Sequence, residues 1–136
     1  MNTALRAERT SLVKRFEPWD LLEMALRGAR ADEAAARLTE KRETVARFAD
    51  NAVIQPTAVD TAQVAITAAF GQRSGTASTG DLTAQGLAAC REKAEAIALA
   101  SPPNPEYMPM LGPQSYLPID GFCEATASVE SSRCVG

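Results

Sequence analysis

The stretch that most limits what this chain can fold into runs from Arg47 to Leu82, RFADNAVIQPTAVDTAQVAITAAFGQRSGTASTGDL. Within it Val64, Ile66, Ala68 and Phe70 alternate with Ala65, Thr67 and Ala69. Leading into it, Thr44, Ala46 and Phe48 alternate with Val45, Arg47 and Ala49. Successive side chains of a strand point to opposite faces, so a period of two commits one set to a buried sheet face. Asp50-Asn51 and Gly71-Gln72-Arg73-Ser74-Gly75 supply the reversals, because Gly and Asn tolerate positive φ. The reading is a meander in which Asp60 to Phe70 is the clearest strand and Thr76 to Thr79 its hairpin partner. Val53-Ile54 running into Gln55-Pro56 is expected as an edge segment or a bulge, not a central strand, since proline donates nothing to a ladder.

The flanks read as helices. Pro18 marks the start of structure, and Asp20 followed by Glu23 has the spacing of a capping box, with Leu22, Leu26 and Ala29 on one face and Gly28 as the stop. Trp19 is expected to pack against that helix start. Leu82 and Leu87 bracket Thr83 as a hydrophobic staple brackets an N-cap. A helix should follow, with Leu87, Cys90, Ala94, Ile97 and Ala98 inward and Arg91, Glu92 and Glu95 turned away, until Ser101-Pro102-Pro103 ends it. Between the first helix and the meander, EAAARLTEKRE is ambiguous: its propensity is helical, while Ala34, Ala36 and Leu38 alternate as a strand would. From Pro102 the sequence PPNPEYMPMLGPQSYLP is too rich in proline for regular structure and reads as an extended strap, with Met108, Met110, Leu111 and Tyr116 expected to pack on the domain itself. The division expected is a flexible N-terminus over 1–17, a core over 18–101, and a strap with a tail over 102–136 leading to a downstream domain absent from the chain.

Composition removes several classes of function. A chain of 136 residues suffices for one ordinary domain. Its net charge of -3 argues against nucleic acid, because neutralising phosphates takes clustered Lys and Arg. The N-terminal residues break any apolar run with charges, and no stretch reaches membrane-spanning length, so neither an export signal nor a membrane anchor is expected and the cytoplasm is the expected location. Cys90, Cys123 and Cys134 are widely spaced and form no CxxC pair, so packed or incidental free thiols are expected. The chain contains 0 histidines, which removes Ser-His and Cys-His nucleophiles and imidazole-based zinc sites together.

Few constellations remain that could carry chemistry. GQRSG followed by TASTG has the glycines of a phosphate cradle but neither GKT nor GxGxxG, and Arg73 falls at a hairpin tip. Ser78 and Thr79 lack a neighbouring base and read as strand hydroxyls. Asp81 reads as part of the approach to the helix at Thr83. No catalytic or metal-binding residue is therefore expected within the chain.

Taken together, RFADN, VIQPT, AAFGQRSGTASTGDLTAQGL, ALASPPNPEY and LGPQSY resemble the N-terminal domain of the TldD/PmbA (TldD/TldE) metallopeptidases, described as modulators of DNA gyrase. The resemblance spans about Trp19 to Ala127. It rests on Arg47, Phe48, Asn51, Gly71, Gly75, Ala77, Ser78, Thr79, Asp81 and Leu82, with Gly80 in place of a commoner Asn and Thr83-Ala84-Gln85-Gly86 in place of Ser-Pro-Glu-Gly. It implies an α+β (α/β) domain, an antiparallel meander packed on two helices and followed by the Pro-rich strap, and it resolves Ala34 to Lys41 as a strand. It further implies that the metal, zinc, and the HExxxH helix lie in a downstream domain of an active subunit, so this chain would not be active alone. The implied partners are a second TldD/PmbA-type subunit, in a homo- or heterodimer, and an unfolded peptide that enters an enclosed passage. Val53, Ile54, Gln55 and Thr57 are the edge expected to pair with such a peptide. The other reading of function is a standalone binding or assembly module without peptidase activity. The sequence does not distinguish a metal-bearing subunit from an inactive one.

Overall fold

The computed structural model describes residues 17–49, 52–112 and 114–128, and the side chains of residues 44, 46, 48, 49 and 52–56 fall outside that description. The elements are α1 (Pro18–Leu26), β1 (Glu33–Ala49), β2 (Ala52–Phe70), β3 (Arg73–Thr79), α2 (Ala84–Ala100) and α3 (Glu124–Ala127). The strands form one sheet in the order β1-β2-β3, and β2 pairs antiparallel with β3 from Val64↔Thr79 to Phe70↔Arg73. The chain divides into two compact units. One comprises Met1–Glu40 with Thr61–Met110, the other Lys41–Asp60 with Leu111–Gly136.

The first unit holds the core. Alternation along β2 brings Val64, Ile66 and Ala68 to one face, where they meet Ala77 of β3, Leu21 and Ala25 of α1, and Leu87, Cys90 and Ala94 of α2. Ala36 and Leu38 of β1 pack on the same cluster. Those contacts decide the ambiguous segment, because strand alternation carries Ala36 and Leu38 together onto the core face, while intrinsic propensity is a weak preference that tertiary packing overrides. EAAARLTEKRE is accordingly strand, as the family resemblance implied. The fold is the α+β arrangement expected, a three-stranded antiparallel meander with helices packed on it.

Several local expectations fail, each for a definable reason. Ala34–Lys41 and the alternation from Thr44 form one strand, and Val53 to Pro56, expected as an edge segment or a bulge, is part of one strand from Ala52 to Phe70. β2 is the middle strand, but β3 accompanies it only along Val64–Phe70. Pro56 therefore lies where a proline can turn its donor-less nitrogen away from the remaining ladder. β3 begins at Arg73, so the hairpin turn narrows to Gly71-Gln72, with Gly71 at φ +55°.

In α1 the first residue is Pro18, whose fixed φ suits that position. The N-cap is thus Glu17, without a side-chain cap, and Asp20 lies inside the first turn. The positions that α1 buries are Leu21 and Ala25, one residue before the expected Leu22 and Leu26, which are half-buried with Ala29. Trp19 is 75% exposed instead of packed. Gly28 follows the helix end at φ +79°, as expected of a stop. In the strap, Met110 is half-buried, but Met108, Leu111 and Tyr116 are exposed, contrary to expectation. The expectations for residues 1–16, Asp50, Asn51 and Cys134 fall outside the described residues.

Candidate functional site

Of the residues singled out by the sequence, Gly75, Ala77, Thr79, Asp81 and Leu82 fall on the passage from β3 into α2. Gly75 lies on the helix-facing side of β3, and its backbone rests directly on that of α2: a Cβ built there would sit 2.3 Å from Ala98 N and 2.5 Å from Ala94 O. Ala77, two residues on, is buried in the core. Thr79 closes the strand, its Oγ1 accepting the Asp81 N–H at 3.0 Å. The Asp81 carboxylate in turn accepts from the Thr83 N–H at 3.0 Å and from the Thr83 hydroxyl at 2.7 Å, both on Oδ1. Those bonds, the hydroxyl's first, hold Asp81 below the usual carboxylate range.

Thr83 then caps α2 as the sequence predicts, its Oγ1 accepting the Gly86 N–H at 3.1 Å. Gly86 must be small, because a Cβ would approach Asp81 Cγ to 2.4 Å. Leu82 packs against the core and Leu87 is buried, which completes the staple.

This chain of contacts accounts for the GTASTGDL stretch without a ligand. The backbone that a phosphate cradle would offer at Gly75 is occupied by α2. The Asp81 carboxylate accepts from the cap. Ser78 is exposed and pairs with Ala65, on the sheet face turned away from Val64 and Ile66. On that face Thr67 and Thr76 join hydroxyls at 2.9 Å across the ladder. Gly71 stands apart at the hairpin turn, where its N–H donates to Asp32 Oδ2 at 2.9 Å.

The second unit contains Arg47, which is exposed, and the ion pair of Arg42 with Asp60, made through Nε to Oδ1 at 3.0 Å and Nη2 to Oδ2 at 3.3 Å. Thr57 is exposed there. Phe48, Val53, Ile54 and Gln55 are placed in β1 and β2 by backbone alone.

Two polar clusters were missed by sequence reasoning. Glu95, expected to face water, is 1% exposed. Its carboxylate accepts the Arg30 N–H at 2.7 Å and the Arg30 guanidinium at 3.0 Å, tying the loop after α1 to α2. Loss of water pulls its pKa upward, but the bonds from Arg30, with the charges of Arg30 and Arg91, outweigh this and hold it below the ordinary value. Arg91 reinforces the same loop by donating to Arg27 O. The second cluster is Glu33 with the strap: its Oε2 accepts from the Tyr107 hydroxyl at 2.6 Å and from the Met110 N–H at 3.2 Å. The bond to Glu33 pushes the Tyr107 phenol up. Helical periodicity assigns a lone glutamate to solvent, and partners 65 and 77 residues away leave no local trace.

Of the cysteines, Cys90 is buried and Cys123 exposed, and both are free thiols. Among the described residues no three His, Cys, Asp or Glu side chains come together as a metal site. No helix among them is long and apolar enough to cross a membrane.

An antiparallel meander backed by two helices, with a capped strand-to-helix junction at its centre, defines an α+β scaffold domain. Comparison with known proteins relates that scaffold to a family. Residues 34–98 match the family model described as PmbA/TldA metallopeptidase domain 1. Among solved structures the chain is similar to TldE from Thermococcus kodakarensis, with a TM-score of 0.68 and 16% identity over 85% of this chain and 25% of that one. No curated protein matches the sequence. The likeness is thus to the first, N-terminal domain of the TldD/PmbA family, and the chain spans 25% of the length of that TldE chain.

Proposed function

We propose that this chain serves as the non-catalytic N-terminal domain of a TldD/PmbA-like metallopeptidase that degrades unfolded peptides. In this reading it forms part of the wall of an enclosed substrate passage and contacts a second subunit of the same type. The observation that carries the reading is the match of residues 34–98 to the first domain of that family. The geometry agrees with a scaffold role, since the signature residues from Gly75 to Gly86 act on one another and on α2. The hydrolytic metal and its ligands would then lie outside this chain.

Within that wall, Val53, Ile54, Gln55 and Thr57 form the proposed edge for an extended peptide. β3 accompanies β2 only along Val64–Phe70, so Ala52 to Thr57 has no β3 alongside. Unpaired strand edges recruit extended chains through backbone hydrogen bonds, which need little sequence specificity. The test is hydrogen exchange on the complete, partnered protein with and without an unfolded peptide. Peptide-dependent protection within residues 47–80 is expected, and its absence would remove the passage-wall role. Purified 1–136 should hydrolyse no peptide, and chelator-sensitive hydrolysis by it would overturn the assignment of chemistry elsewhere.

A further inference from the structure

Within the first unit, residues 104–110 are held by a small set of polar contacts at one end of the sheet. Asn104 N–H donates to Gln72 O in the β2–β3 turn at 2.8 Å. At the start of β1, Glu33 Oε2 receives both the Tyr107 hydroxyl and the Met110 N–H, at 2.6 Å and 3.2 Å. One carboxylate oxygen thereby holds both ends of the Tyr107–Met110 segment. Ala69 lies on the sheet face away from Val64 and Ile66, near the end that carries these anchors, and is 1% exposed. From residue 102 to residue 110 no side chain is fully buried: Tyr107 and Met110 are half-buried and the rest are exposed. Met110 is also the last residue of the first unit along the chain, and Leu111 belongs to the second.

We propose that Glu33 is a releasable clasp that sets where the chain leaves the first unit, at Met110 when closed and at Ser101 when open. Ser101 is fixed independently, because its N–H and hydroxyl both donate to Ile97 O, at 2.9 Å and 2.8 Å. Opening, with Asn104 also released from Gln72 O, would free residues 102 to 110, which as extended chain add up to about 30 Å of reach. Pro102-Pro103 keeps the base of that tether extended and stiff. The asymmetry that favours opening lies in what each segment buries. α2 buries Leu87, Cys90, Ala94 and Ala98, whereas the strap is held by hydrogen bonds and two half-buried side chains. Segments of the second kind open locally at a fraction of the cost of global unfolding.

Amide hydrogen exchange on the full chain tests the clasp, reading Asn104, Tyr107 and Met110 against Leu87, Cys90 and Ala94. The strap amides should exchange at least about 100-fold faster than those of α2. Glu33→Ala and Tyr107→Phe should each accelerate Met110 by about tenfold more, with α2 amides unchanged, which also shows that each variant is folded. Equal protection of Met110 and α2 in the wild type would overturn the proposal, as would indifference of Met110 to both substitutions. If a variant fails to fold, the wild-type comparison decides.

Discussion

Replacing Gly75 with alanine puts a methyl group where the backbone of α2 already runs. The new Cβ would lie 2.3 Å from Ala98 N, 2.5 Å from Ala94 O and 2.9 Å from Ile97 C. Close-packed contacts begin at about 3.4 Å, so β3 and α2 must separate by about 1 Å. Backbone preference acts the other way, since alanine in a strand is better than glycine by about 0.5–1 kcal/mol. Overpacking costs about 1–3 kcal/mol where side chains can rotate aside, and here the obstacles are backbone atoms that cannot. Separation would also loosen Leu87 and Ala94 from Ile66 and Ala77, their companions in the core. The steric effect should win, leaving a net loss of about 2–3 kcal/mol. For a chain of 136 residues that lowers Tm by about 8–12 °C. Thermal and urea denaturation followed by circular dichroism would measure it. Gly80→Ala is the control, because the atom nearest its Cβ is Ala62 O at an ordinary 3.7 Å, and it should stay within about 0.5 kcal/mol of wild type. A Gly75→Ala protein as stable as wild type, or one no worse than Gly80→Ala, would refute the account of the β3–α2 contact.

Thr83→Ala removes the acceptor for the Gly86 N–H and should cost about 1 kcal/mol in the same denaturation assay, with Thr83→Ser restoring most of it. Glu95 governs the acid limb of stability. Its folded pKa lies below the ordinary glutamate value, so its contribution is complete above that value and is lost as pH falls through the folded one. Glu95→Gln should therefore lower stability at pH 7 by about 1–3 kcal/mol and flatten the decline of Tm on acidification. A wild-type and variant decline of equal steepness would show that Glu95 is not the group responsible.

How far the sequence could be read depended on whether a position's partner was near or distant. Val64 to Phe70 needed only its own alternation, and Thr83 with Leu82 and Leu87 only a local motif, so the middle strand and the start of α2 were both legible. The reading of β1 required the family resemblance, because the contacts of Ala36 and Leu38 with the core outweigh a local preference for helix. At Pro56 the sequence left an edge segment and a bulge open, and what admits the proline within one strand, the short reach of β3 along β2, is a tertiary fact. Glu95 and Glu33 were invisible altogether, since each is explained by a group more than 60 residues away in sequence. Trp19 shows the converse, a large apolar side chain in the first turn of α1 that is left exposed.

The legible part of the candidate site and the specificity of its motif have one origin. Gly75 and Gly86 are required because other atoms lie within 2.4 Å of where their side chains would begin. Thr79, Asp81 and Thr83 are required because each polar group satisfies the next across the turn from β3 into α2. Five positions constrained by backbone proximity and by one hydrogen-bond relay make a pattern that few other structures would demand. Residue types selected by that geometry should respond to substitution through stability. An effect of Asp81→Ala on peptide turnover at full fold stability would be the finding that returns chemistry to this junction.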